Sequence, residues 1–434
     1  MKNIINTISE MKQYLLLWGT QAFSGLGSAM TSFALVIWSY TQEGSALMTA
    51  LLMVCSYAPY VICSIFAGAL SDKWNKKATM LICDAMAALC TVAVLLLLKT
   101  ENLQIWHLYL VNAVNGLMNT VQQPASEVAT TALVPKKHYQ RIGGLNYISR
   151  SANSILTPII AMAFMGFGGI DAVIAFDLIS FMVAFLVLLI FISIPEVQAE
   201  EKKKESILKS AKEGLGFLKK EKGVFALILF LSGINLVASM YNAAFPAMML
   251  SRENGSETVM ATVNTVTGLT MLAGSFIATA ANKPKNRVKT IEICLLISMS
   301  TENFLLGLGR VPWVWCLATF LGWITIPMMS TNLEAILRLS IPQEIQGRVY
   351  AARNSLQFFT IPVGYFLGGI LVDEVFEPFM ALQKNSSLLV TLFGSGKGSG
   401  CALFFFALGF LGVGICLYFI NNKHIKMLSE NLQE

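Results

Sequence analysis

Residues 68–77 read Gly68-Ala69-Leu70-Ser71-Asp72-Lys73-Trp74-Asn75-Lys76-Lys77, between an apolar run over 45–70 and a second over 78–98. Each run is long enough to cross a bilayer core as a helix, which takes about 20 residues at ~1.5 Å rise each. The segment between them carries one acid and three lysines, so it belongs in water. Apolar run, basic turn, apolar run is the unit from which the rest of the chain can be read.

Ten further runs almost free of charge lie near 14–40, 105–132, 145–168, 171–194, 224–250, 258–281, 290–308, 312–337, 350–372 and 401–421. Over the 434 residues 55% are hydrophobic and 13% charged, with a mean hydropathy of +0.63. An ordinary soluble domain carries about 25% charge. So few charges cannot cover a soluble surface, and disordered chains are poor in aliphatics, so both classes are excluded. Barrel strands are about 10 residues with strict alternation, and these runs are longer and continuous. The expected fold is an all-α membrane protein of twelve transmembrane helices. No signal peptide is expected, because the first apolar run is longer than a signal-peptide core.

Twelve spans put both termini on one side. On that side fall 26 of the 31 basic residues; only Lys99, Arg252, Arg310, Lys384 and Lys397 fall on the other. Cytoplasmic loops collect Lys and Arg, so both termini are expected in the cytoplasm, and the net charge of +6 reads as topology with no nucleic acid implied. The polar stretch 195–223 separates an N-terminal bundle, 1–194, from a C-terminal bundle, 224–434. Within it Ile207, Leu208, Ala211, Leu215 and Leu218 make one apolar stripe, suited to a connector or to the membrane surface.

The halves echo each other. Glu127, Pro135 and Arg141 recur as Glu334, Pro342 and Arg348 at a constant offset of 207. Gln21, Ser24, Ser28 and Thr31 in span 1 share their 3-4-3 spacing with Ser232, Asn235, Ser239 and Asn242 in span 7. Six-plus-six repeats are a transporter architecture. Span 4 adds Asn112, Asn115, Asn119, Gln122 and Ser126 on one face; span 10 adds Thr319, Trp323, Pro327, Ser330 and Glu334. Amides cannot face lipid without losing hydrogen bonds. Such groups either glue helices together or line water. Four stripes, each on the first span of a three-span group, favour a shared polar cavity, with Trp38, Tyr241 and Trp323 as aromatic contacts.

Ionisable groups inside spans are functional candidates by default. Asp84 lies about 10 Å along the helix from Lys77, and Asp177 sits at similar depth from the outer side. These two are the proton-coupling candidates, although each could equally cap a neighbouring helix. Glu127 and Glu334 lie in the cytoplasmic thirds of spans 4 and 10, where ion pairing is favoured over proton carriage. Glu292 and Glu302 lie near the ends of span 9 and are expected to reach water as structural residues. The three histidines are at span ends or outside, so no histidine relay is expected. The eight cysteines fall in or at the ends of spans and read as small apolar core residues. Residues 394–400, Gly-Ser-Gly-Lys-Gly-Ser-Gly, fail as a phosphate loop: Thr391 stands where the first Gly is required and Gly398 where Ser or Thr is. They read as a flexible outer linker. No metal, cofactor or catalytic motif appears, and no enzyme is expected.

The 68–77 segment also resembles the signature loop of the major facilitator superfamily between spans 2 and 3. The resemblance extends through Val134-Pro135 with Arg141, Asp177 in Ala-Phe-Asp-Leu-Ile-Ser, Gly347-Arg348-Val349, Pro362-Val-Gly364, Gly368 to Asp373, and Phe376-Glu-Pro378. These look like the drug-efflux branch that includes bacterial macrolide efflux proteins and a siderophore exporter. It implies two pseudo-symmetric six-helix bundles in a bacterial cell membrane. It further implies a cytoplasmic gate built from Gly68, Asp72, Lys73, Lys76, Lys77, Glu127, Arg141, Glu334 and Arg348. The implied activity is proton-coupled export of small amphipathic molecules such as macrolides, or alternatively of a siderophore or native metabolite, by a monomer. The second copy of the loop has decayed, Asp72 mapping to Thr279, and spans 1 and 7 hold no acid. A non-transporting sensor or scaffold has no need of the polar stripes, and no charged ring suggests a channel.

Overall fold

The computed structural model describes residues 10–135, 138–195, 207–282, 284–342 and 345–431. The side chains of Gly68, Asp72, Lys73 and Arg141, four of the expected gate residues, lie outside the described residues. Among the described residues every regular element is a helix. The chain forms two compact units, Met1–Trp38 with Cys55–Ile207, and Ser39–Val54 with Leu208–Glu434.

The first unit is built on α1 (Lys12–Glu43) and α2 (Ala46–Lys73), apart from their facing ends at 39–54, which belong to the second unit, and on α3 (Lys76–Lys99), α4 (Ile105–Leu133) and α5 (Tyr139–Phe191). The basic turn that decides the fold is one tight corner: Asn75 caps α3, its side chain accepting from Ala78 N at 3.0 Å. That satisfies one of the amides a helix start leaves unpaired. α5 runs for 53 residues but breaks at Gly168 and Gly169, the latter at φ 68°, a left-handed conformation that glycine adopts without strain. α3 packs on α4 and on α5.

The second unit begins with α6 (Ile207–Lys220), α7 (Lys222–Ser251), α8 (Glu257–Ala280) and α9 (Arg287–Leu308). Next come α10 (Pro312–Trp323), α11 (Ile326–Ser340), α12 (Gln346–Phe358) and α13 (Thr360–Ile370). A π-helical turn (Leu371–Phe376) leads to α14 (Glu377–Ala381), α15 (Leu388–Phe393), α16 (Ser399–Ile420) and α17 (Lys423–Asn431). α7 is buried along most of its length and packs on α13 and α16, while α9 packs on α16. α6, which carries the apolar stripe of the connector, buries Leu218 completely and presents Gly214 to the Arg348 carbonyl, where an added Cβ would collide. The connector helix is therefore a packed part of the second unit.

Ten helical stretches among the described residues are long and apolar enough to cross a membrane, against twelve expected. One of them, Ile148–Phe191, is 44 residues and contains the Gly168–Gly169 break between two expected spans. α4 is long enough at 29 residues, but its row of amides keeps it from being apolar enough.

The π-helical turn and the first residue of α14 set two carboxylates on two helix starts. Asp373 accepts from Ser45 Oγ, Ala46 N at 3.0 Å and Leu47 N at 2.9 Å, capping α2. Glu377 accepts from Gly398 N at 3.1 Å and Cys401 N at 2.9 Å, capping α16. Gly398, within the glycine-rich 394–400 segment, is thus held by a carboxylate at the start of α16. All eight cysteines are free thiols.

Candidate functional site

In the first unit the polar stripes of α1 and α4 meet two acids. Steps of three and four bring Gln21, Ser24 and Ser28 to one face of α1; Asp84 on α3 and Asp177 on α5 approach that face from opposite ends. Gln21 Nε2 donates to Asp84 Oδ2 at 3.2 Å, and Gln122 Nε2, from α4, donates to Asp84 Oδ1 at 2.6 Å. Ser28 Oγ donates to Asp177 Oδ1 at 3.0 Å. Both carboxyls open onto one cavity of about 190 Å³, lined also by Ser24, Thr91, Asn119 and Phe181. Among the described residues neither acid has a cationic partner; the donors are neutral amides and a hydroxyl.

The close approach of α1 to α5 depends on Gly27. A Cβ there would collide with Ser180 Oγ and lie 2.9 Å from Asp177 Cα. Asp177 is 4% exposed, while Ser28 beside it faces open space. Thr31, one turn further along α1, is buried. Three members of the α4 stripe stand apart from the cavity lining: Ser126, Asn112, whose Nδ2 bonds its own helix at Leu108 O (2.8 Å), and Asn115, which keeps a buried Oδ1 without a partner.

The corresponding stripe of α7 meets backbone. Ser232 Oγ donates to Leu356 O at 3.0 Å and Asn235 Nδ2 to Gln357 O at 3.1 Å. Ser239 is buried against Gly364, and Asn242 is exposed. The Trp323 indole donates to Glu302 Oε1 at 2.9 Å. Glu302 is 5% exposed and Glu292 9%, so neither sits in open water at the end of its span. Distance from a helix end does not reveal which face a side chain takes, and Glu302 faces inward. Its signal was the glycine and tryptophan of span 10, which fit a carboxyl only once the helices are paired.

At the basic end, Lys77 Nζ donates to Leu189 O and Ile192 O, both at 2.8 Å, closing the C-terminus of α5. Lys76 Nζ donates to Trp74 O. Glu127 accepts from Gln123 Nε2 at 3.5 Å. Arg353 Nη1 pairs with Glu334 at 3.3 Å, and Arg348 pairs with Glu213 of α6. A lysine on helix carbonyls and arginines on carboxylates bind helix ends together electrostatically.

Residues 17–240 match the family model of the Major Facilitator Superfamily. Macrolide efflux protein A of Streptococcus pyogenes is 23% identical over 84% of this chain and 90% of its own length. The multidrug efflux pump Tap of Mycolicibacterium fortuitum is also 23% identical, over 84% and 91%. The crystal structure of a point mutant of the nucleoside transporter NupG superposes with a TM-score of 0.65 at 14% identity, covering 95% of this chain and 99% of that one.

Proposed function

The chain belongs to the Major Facilitator Superfamily, and on that premise we propose that it is a proton-coupled antiporter exporting small amphipathic, drug-like molecules, macrolides among them. It works as a monomer in a bacterial cell membrane with both termini in the cytoplasm. The observation that carries the reading is the first unit's cavity, where Asp84 and Asp177 have only neutral donors. A carboxylate without a cation in a low-dielectric surrounding exchanges its proton at far lower cost than one locked in an ion pair. The efflux named for two relatives supports the direction of transport.

Gln21 and Gln122 stabilise the charged form of Asp84, and Ser28 that of Asp177. Proton entry from outside neutralises the acids and weakens these bonds. Proton loss to the cytoplasm restores them, and alternating access carries substrate the other way. Lys77, Glu334 and Arg348 act in closing the cytoplasmic side, with Asp72, Lys73 and Arg141 as further members.

Two measurements test this. In proteoliposomes with an imposed proton gradient, the wild type accumulates a macrolide or a cationic dye uphill. Asp84→Asn and Asp177→Asn each remove uphill accumulation and leave downhill exchange. Retention of uphill export by the double variant would overturn the coupling. A resistance panel in a pump-deficient bacterium, covering macrolides, dyes and siderophores, tests the cargo; a response to siderophores alone would replace drugs with a metal-chelating metabolite.

A further inference from the structure

The other unit also buries acids, and the more enclosed of its two on α9 is Glu302, away from the cavity just described. Glu302 lies six residues from the outer end of α9, about 9 Å inside the helix. Trp323 Nε1 donates to its Oε1 at 2.9 Å, and the Tyr241 phenol on α7 faces the same carboxyl. The carboxyl also presses on the backbone of α10. A Cβ on Gly322 would collide with Oε2 and lie 2.6 Å from Glu302 Cβ.

Trp323 and Gly322 are the last two residues of α10. Ile324 and Thr325 keep helical dihedrals, and the break before α11, which begins at Ile326, is one of hydrogen bonding, ahead of Pro327, which has no N–H to give. Thr325 Oγ1 ties the break back to α9 by donating to Cys294 O at 3.0 Å. Glu302 and the Cys294 carbonyl, both on α9, thus hold the side chains of Trp323 and Thr325 on either side of this point.

The charges around Glu302 are accounted for on every packed helix. Tyr241 is the titratable group that faces it from α7. Arg252, at the outer end of α7, is engaged by the carbonyls of Leu306, Gly307 and Phe393. Cys416 of α16 and Lys426 of α17 act on Glu292, at the other end of α9. α10, α11 and α15 bring no charged group against it among the described residues. No cation among the described residues holds this carboxyl in its charged form.

We propose that Glu302 is a proton-binding site of the second unit, and that the α10–α11 break reads its proton through Trp323. The indole N–H is a donor only. The carboxylate has acceptor capacity for both the indole and the phenol. Adding a proton converts one oxygen to a hydroxyl donor, which weakens its acceptance from Trp323 and frees the last turn of α10 to shift. Proton binding here does not depend on the transport reading above, and it is separate from Asp84 and Asp177.

The test is infrared difference spectroscopy of the full chain in lipid nanodiscs, titrated with acid, alongside tryptophan emission. The wild type shows a protonated-carboxyl band, lost in Glu302→Gln and retained in the Asp84→Asn, Asp177→Asn double variant. A pH-dependent change in indole emission is lost in both Glu302→Gln and Trp323→Phe. Unaltered bands and emission in a monodisperse Glu302→Gln would overturn the proposal. Should that variant fail to fold, Trp323→Phe decides: the Glu302 band shifts on loss of the indole bond, and an unshifted band overturns the proposal equally.

Discussion

The α1 stripe of the first unit and the α7 stripe of the second share their spacing and differ in what they do. Gln21 and Ser28 reach across to acids on α3 and α5 and leave a cavity. Ser232 and Asn235 bond backbone carbonyls of α12. The acids explain the difference. At the 211 offset of these stripes, Asp84 maps to Leu295 and Asp177 to Leu388, while Glu302 maps back to Thr91; at the 207 offset of the Glu127 and Glu334 repeat they map to Ile291, Lys384 and Leu95. A repeated helix face keeps its polar atoms, but those atoms find carboxylates in one half and carbonyls in the other. Internal duplication therefore predicts scaffold better than it predicts chemistry.

The acids carry the largest expected effects. Asp84→Asn and Asp177→Asn are expected to reduce proton-driven accumulation to the level of empty liposomes, whereas Asn235→Ala leaves it near wild type. A defect in Asn235→Ala as large as that of the acid variants would erase the distinction. Gly27→Ala drives a methyl into Ser180 and the Asp177 backbone, and overpacking of this kind costs about 1–3 kcal/mol. A lowered thermal midpoint together with weakened uphill transport is the expected pair of results. Asp373→Ala removes the cap that holds residues 45–47 in the second unit, an expected loss of about 1 kcal/mol by thermal unfolding, with Asp373→Asn largely restoring it. The smallest effect is the stability change in Asn235→Ala, about 0.6 kcal/mol for one hydrogen bond between membrane helices.

Much of the first unit's site was legible in the chain itself. An acid deep in an apolar run, with amides at three- and four-residue steps on neighbouring runs, points to Asp84, Asp177, Gln21, Gln122 and Ser28. Spacing gives the face of a helix, and buried amides have few places to go. What spacing does not give is which helix that face meets. By position in its span Trp323 suits a cavity aromatic, yet it donates to Glu302, whose place near a span end suggests water. Asn112 shares its helix face with Gln122 and bonds its own backbone. The Asp373 and Glu377 caps were unreadable for the same reason: each joins segments more than 20 residues apart, brought together only by packing.

The sequence by itself determined that this is a helical membrane protein of repeated halves. Those properties follow from counting: the length of apolar runs, the scarcity of charge, the side on which lysine and arginine collect. Only the tertiary structure decided which polar groups became partners. Hydrogen bonds and buried charges depend on a few ångströms between helices distant in sequence. Those distances assign Asp84 and Asp177 to one cavity, turn Asn235 to a carbonyl, and enclose Glu302 beside the break in span 10.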